Sequence, residues 1–180
     1  MMGSVQKASE ALETWLYELN ERNHWFFRLL EAVNDLYAGL IFRGVRRRAA
    51  RIDESIRGRD REFRMRFLVA ADAAILVELF AQFDFAYSPP HSLEADAVQG
   101  LLARPSYLPF GLFRDDECVG YCLVRLIAPR NCFTGVWSLP VVWNEGMSQA
   151  AVKRSGAFTD AEGLVDFVTV PLDNTASKQG

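Results

Sequence analysis

The chain has 180 residues, half of them hydrophobic, and a formal net charge of −3. That length and apolar content fit one domain plus an extension with a sizeable core, and exclude a disordered protein. The net negative charge excludes nucleic acid as a partner for the molecule as a whole. Locally, however, ten arginines between Arg43 and Arg66 face only Asp53, Glu54, Asp60 and Glu62. Such a charge run reads as a solvated helical face.

Residues 5 to about 57 carry helical periodicity. Trp15, Leu16 and Leu19 mark one apolar stripe. Phe26, Leu29, Leu30, Val33, Leu36, Tyr37, Leu40 and Ile41 mark another, at spacings of three and four, with Asn23 as its cap. Arg28, Glu31 and Asp35 interrupt this stretch, so it is not a membrane span. The stripe must bury against the rest of the chain, a second copy in a homodimer, or a membrane surface. Internal packing or dimerisation through these helices is favoured, and membrane association is not. Residues 57–61 are polar and carry Gly58, which sets the expected boundary between a helical extension, 1–60, and a domain, 61–180.

The texture then changes. Phe63, Met65, Phe67 and Val69 alternate with Arg64 and Arg66, the pattern of a half-buried strand over 63–69. A helix capped by Asp72 follows, then a Tyr-Ser-Pro-Pro loop at 87–90, then a short helix over 92–103 capped by Ser92. Apolar runs at 108–113, 118–127 and 132–139, joined by short turns, predict an antiparallel meander. Residues from Gly146 to Phe158 read as helix, 165–170 as strand, and 174–180 as the start of another helix. The strand at 165–170 is expected parallel to 132–139, because a helix-length crossover joins them. The expected fold class is α+β: a mixed, mostly antiparallel sheet flanked by helices.

Three cysteines, Cys118, Cys122 and Cys132, form no Cys-x-x-Cys pair, and no secretory leader precedes them. A reducing, cytoplasmic compartment is expected. His24 and His91 lie far apart without a nearby cysteine, so no metal site is expected. No Gly-x-Ser-x-Gly nucleophile motif occurs.

The segment Pro-Val-Val-Trp-Asn-Glu-Gly-Met-Ser-Gln, 140–149, joins the last strand of the meander to a helix through a single glycine, Gly146. Pro140 stands six residues before that glycine, Ser148 holds the place of a second small residue, and Val170, Asn174 and Ser177 follow after a helix and a strand. Together with the element order, this pattern over 63–180 resembles the GNAT superfamily of N-acetyltransferases. In that family the glycine turn opens a helix whose N–H groups hold the pyrophosphate of coenzyme A. The physics agrees: a helix N-terminus offers unpaired donors and partial positive charge, and glycine leaves room for a phosphate.

The resemblance implies acetyl-CoA, or another acyl-CoA, as co-substrate. Its contacts would be Ser138, Leu139, Glu145, Gly146, Met147, Ser148, Gln149 and Asn174. The pantetheine arm would lie along Ser138 and Leu139. A valine at 146 is then expected to weaken coenzyme A while leaving stability intact. The acceptor, a small-molecule or peptide amine, would enter beside Trp137 and the loop that holds Asp84, Tyr87 and His91.

Three features depart from the family. Trp143 stands where Arg or Gln is usual, and Glu145 adds negative charge beside the phosphate position. The strand 132–139 carries no Asp or Glu, so no general base is assigned; Glu117 and Asp166 are the carboxylates to consider, each solvated by default. The chain as given ends before the family's thiolate-protonating tyrosine and last two strands, so a C-terminally truncated domain with slow turnover is expected. The implied activity is acyl-CoA-dependent N-acyl transfer. The alternative is a catalytically weak or inactive module of the same fold that binds coenzyme A or another protein.

Overall fold

The computed structural model describes residues 24–82 and 94–168. Tyr87, His91, Ser92, Asn174 and the helix expected after it lie outside the described residues. Among them, helices α1 (His24–Ile41), α2 (Arg43–Ala49), α3 (Ala73–Phe80), α4 (Ala95–Ala103) and α5 (Met147–Ala161) surround strands β1 (Asp53–Arg57), β2 (Glu62–Phe67), β3 (Tyr107–Arg114), β4 (Glu117–Ile127), β5 (Asn131–Ser138) and β6 (Val165–Val168).

The strands form one sheet in sequence order, β1 to β6. Every neighbouring pair is antiparallel except β5 and β6, which are parallel, with Asn131 opposite Val165 and Thr134 opposite Val168. The meander and the parallel closing strand match the sequence expectation. The reason is local: short turns enforce antiparallel pairing, while the α5 crossover returns the chain in the same direction.

The N-terminal stretch departs from expectation. Residues 53–57, expected to end a long helix, are strand β1, paired with β2 from Asp53 opposite Arg66 to Arg57 opposite Glu62. Local sequence favours helix there, but Ile56 is buried and cross-strand pairing with β2 decides the conformation. Of the polar stretch 57–61, expected as a domain boundary, Arg57 ends β1 and 58–61 is the turn of this hairpin, so the N-terminal part contributes a strand to the sheet.

The expected helix before it breaks at Phe42 into α1 and α2. Arg46 of α2 reaches from there into the body. It donates to the carbonyls of Leu102 (2.7 Å), Arg104 (2.8 Å) and Tyr107, filling acceptors left open at the end of α4. The arginine cluster is therefore distributed over several partners rather than along one solvated helical face. Arg48 pairs with Glu162, Arg64 with Asp53 and Arg66 with Asp72.

Strand β2 stops at Phe67, earlier than expected. Leu68 enters the core instead, and Val69 is half exposed. Asp72 holds the N-cap position of α3, as expected, but its side chain makes no cap hydrogen bond there. Its carboxylate accepts the Val69 N–H at 2.8 Å, across a 3₁₀ turn over Ala70–Asp72.

Helices α3 and α4 cover one face of the sheet, against Tyr121 and its neighbours. Helix α5 crosses the other face, over β4, β5 and β6, and reaches β1.

Candidate coenzyme-binding site at the β5–α5 junction

Leu139, just past the end of β5, donates its N–H to the Val119 carbonyl at 2.9 Å. Bonded and non-bonded pairs alternate along an antiparallel ladder. Ser138, opposite Gly120, therefore turns its own N–H and C=O away from β4, toward the side on which β6 lies. The Ser138 carbonyl accepts the Trp143 indole N–H at 3.2 Å, and the Ser138 N–H has no partner among the described residues. Of the two residues expected to present backbone to a ligand, Ser138 has a donor without a partner among the described residues and Leu139 does not.

From Leu139 the chain makes one 3₁₀ turn, Pro140–Val142, and then reverses through Asn144 (φ 67°) and Gly146 (φ 78°) into α5. Both residues are left-handed, a conformation that asparagine tolerates and glycine adopts freely. No side chain caps α5, and the N–H groups of Gly146, Met147, Ser148 and Gln149 have no partner among the described residues. Met147 buries its side chain against Gly120, which leaves Ser148 and the exposed Gln149 on the open side. The hydroxyls of Ser138 and Ser148 lie 3.5 Å apart. The free donor at the strand end and the free donors at the helix start thus flank one place.

The tip of the β1–β2 hairpin closes the other side. Arg59 donates its N–H to the Glu145 carbonyl at 2.7 Å, and a Cβ on Gly146 would stand 2.8 Å from the Arg59 nitrogen. A cavity of about 370 Å³ beneath α1 and α2 lies apart from this region; here the cavity is about 300 Å³, lined by Arg57, Gly58, Arg59, Gly146, Gln149, Ala150 and Lys153. Three cationic side chains so border the helix N-terminus. Sequence reasoning missed Arg57 and Arg59, because β1 was read as the end of a helix and the turn after it as a domain boundary; the excess of arginines was the signal. Lys153 was missed on a helix that was read as one. Glu145 places its Oε1 3.9 Å from an Arg114 nitrogen, and its Oε2 is buried without a hydrogen-bond partner among the described residues. Trp143 is exposed and contributes its indole N–H to the strand end.

Trp137 lies on the face covered by α3 and α4. Its indole folds back over Gly135 and stacks on Tyr121, with ring centres 5.7 Å apart. Tyr121 also meets Phe80 edge-on at 5.8 Å. Its hydroxyl is buried without a partner among the described residues, and burial raises its pKa well above the usual tyrosine value. Glu117 opens β4, exposed, opposite Arg114. Asp166 accepts the Thr134 hydroxyl at 2.9 Å on the face beneath α5.

No family model matches the chain, and no curated protein matches it in sequence. Solved structures do. The GNAT domain of S. lividans PAT superposes with a TM-score of 0.61 at 17% identity, over 72% of this chain and 85% of that one. Mycobacterium smegmatis RimJ, solved with CoA-disulfide, gives 0.59 at 20% identity, over 71% of each chain. An aminoglycoside acetyltransferase from an uncultured soil metagenomic sample, solved with sisomicin, gives 0.55 at 13% identity, over 65% of this chain and 83% of that one. The described chain therefore carries the GNAT fold.

Proposed function

We propose that this protein is an acyl-CoA-dependent N-acyltransferase, with acetyl-CoA as donor and a small-molecule or peptide amine as acceptor. The observation that carries this reading is the meeting of two sets of free backbone donors at the Ser138–Ser148 contact, beside Arg57, Arg59 and Lys153. A diphosphate needs the donors at the helix start, and the pantetheine arm that leads away from it carries amides that can pair with the backbone at the strand end. The solved relatives with coenzyme A or an aminoglycoside support the same class of ligand. A reducing compartment is proposed too, on the three free, buried cysteines.

In this reading the N–H groups of Gly146–Gln149 hold the diphosphate, and the hairpin arginines and Lys153 neutralise its charge. The Ser138 N–H holds the pantetheine arm, and backbone N–H groups polarise the thioester carbonyl. The acceptor amine, uncharged, attacks that carbon and the nitrogen gives up a proton to water; the carbon–sulfur bond breaks, and the departing thiolate takes a proton from water. Positioning supplies most of the acceleration. Trp137, with Tyr87 and His91 of the loop beyond the described residues, would border the acceptor.

A second reading is a module that binds coenzyme A without turnover. It is favoured by the commitment of Asp166 to Thr134 under α5, which removes one of the two carboxylates considered as base. Incubation with acetyl-CoA and an amine panel, read by release of free thiol, separates the two. Amine-dependent thiol release supports the enzyme. Coenzyme A binding without release supports the module, and neither would overturn both.

A further inference from the structure

The larger cavity, about 370 Å³, opens at the elbow between α1 and α2 and takes no part in the proposed transfer. Its size falls within the range of small-molecule sites, about 300–1,000 Å³. Ala38 of α1, Phe67 at the end of β2, Val69 and Pro105 give it apolar walls. Arg43, Arg46 and Arg47 of α2 give it charge, and among the described residues no acid lines it.

That charge is not neutralised. Arg46 is half-buried, with its guanidinium 5.3 Å from the centre of the Phe67 ring. It donates to the carbonyls of Leu102, Arg104 and Tyr107. Carbonyls satisfy its donors but carry no opposite charge, and no carboxylate among the described residues pairs with it. Burial lowers its pKa from the ordinary arginine value. A cation drawn partly out of water favours an anion beside it. Arg43 and Arg47 stand four residues apart, on one side of α2. Both are exposed, and neither has an ion pair among the described residues. Their neighbour Arg48, by contrast, turns away to Glu162.

We propose that this cavity binds a small carboxylate with an apolar body. The body lies against Phe67, Val69 and Pro105, and the carboxylate meets Arg43 and Arg47 beside the Arg46 charge. A guanidinium presents parallel N–H donors that fit the two oxygens of a carboxylate. A bare inorganic anion would leave the apolar walls facing water, and an uncharged apolar molecule would leave the three cations unpaired. The site stands whether or not the β5–α5 junction binds coenzyme A, since the two cavities share no lining residue.

Cinnamate is the probe, titrated into the full chain and followed by amide nuclear magnetic resonance. Saturable shifts are expected at Gly39, Arg43, Arg47 and Val69, with Ser138 and Gly146–Gln149 unmoved. Cinnamamide, which has the same body without the charge, should bind at least tenfold more weakly. Acetate, which has the charge without the body, should not saturate at the same concentrations. Arg43→Gln with Arg47→Gln should weaken cinnamate at least tenfold while thermal unfolding stays unchanged, because both side chains are exposed. Val69→Asp, which sets a negative charge on the wall and spares every arginine, should weaken it as well. No saturable shift at millimolar cinnamate would overturn the proposal, as would shifts centred on the β5–α5 junction. Cinnamamide or acetate binding as tightly as cinnamate, or a double variant that binds like the parent, would overturn it too.

Discussion

The backbone N–H of Arg59 donates to the carbonyl oxygen of Glu145 across 2.7 Å. This bond ties the tip of the β1–β2 hairpin to the turn that opens α5. Gly146 follows that turn with φ 78°, and a Cβ there would lie 2.8 Å from the Arg59 nitrogen. The glycine therefore serves two ends. It lets the chain reverse, and it lets a neighbouring backbone close on the helix N-terminus.

Gly146→Ala should consequently cost stability as well as affinity, which corrects the expectation that only coenzyme A binding would suffer. A left-handed backbone alone costs a non-glycine residue about 1–2 kcal/mol, and the contact with Arg59 adds to this. Urea denaturation should show the loss. An unchanged midpoint would mean that the hairpin does not approach the turn this closely.

Arg57→Ala, Arg59→Ala and Lys153→Ala should each weaken coenzyme A about three- to tenfold, since a hydrogen bond to a charged group is worth about 1.5–3 kcal/mol before solvent screening. The three side chains lie at the surface, so raising the salt should shrink the difference between parent and variant. Calorimetric titration at low and high salt reads both effects. Variants equal to the parent at low salt would remove the cavity from the site.

Asp72 offers a pH test away from the site. Burial alone would raise its carboxyl, but the Arg66 guanidinium and the Val69 N–H outweigh it and hold the carboxyl below the ordinary value of 3.8. A carboxyl depressed by folding stabilises fully above its unfolded value, and that contribution fades as pH falls through the folded one. Asp72→Asn should cost about 2 kcal/mol at pH 7 and progressively less below pH ~4. Thermal unfolding of both proteins across that range checks the sign. A gap that widened in acid would contradict the assignment.

The three thiols should resist modification. Burial is the leading cause in each case, and it pushes Cys118 up to about 11 and Cys122 and Cys132 up to about 12. At pH 8 the folded protein should react with Ellman's reagent at least a hundredfold more slowly than the denatured protein. The thiolate is the reactive form, and almost none would be present. Rapid labelling of one thiol in the folded state would show that a strand of the core opens.

The meander was legible in the sequence because apolar runs separated by short turns leave few other pairings. The direction of β6 was legible because α5 lies between it and β5. Strand β1 was not legible. Asp-Glu-Ser-Ile-Arg is polar on both sides, and only its register against β2 makes it a strand. That miss concealed half of the candidate site, since Arg57 ends a strand read as helix and Arg59 lies in the turn read as a domain boundary. Gly146 itself was visible as the turn glycine, but the Arg59 backbone that requires it comes from a distant part of the chain. The outward apolar side of α1, with Leu29, Val33, Leu36 and Leu40 exposed, was also hidden. Periodicity locates an apolar stripe without saying which side of the helix docks, and here Glu31, Asn34 and Asp35 dock through specific hydrogen bonds.

The central claim, that the β5–α5 junction binds coenzyme A, is tested most directly by amide nuclear magnetic resonance during a titration with coenzyme A. The account predicts saturable shifts at the N–H groups of Ser138 and of Gly146–Gln149, with smaller changes at Arg59 and little at β2 and β3. Saturation that leaves those amides unmoved, or no saturable shift at millimolar coenzyme A, would contradict it.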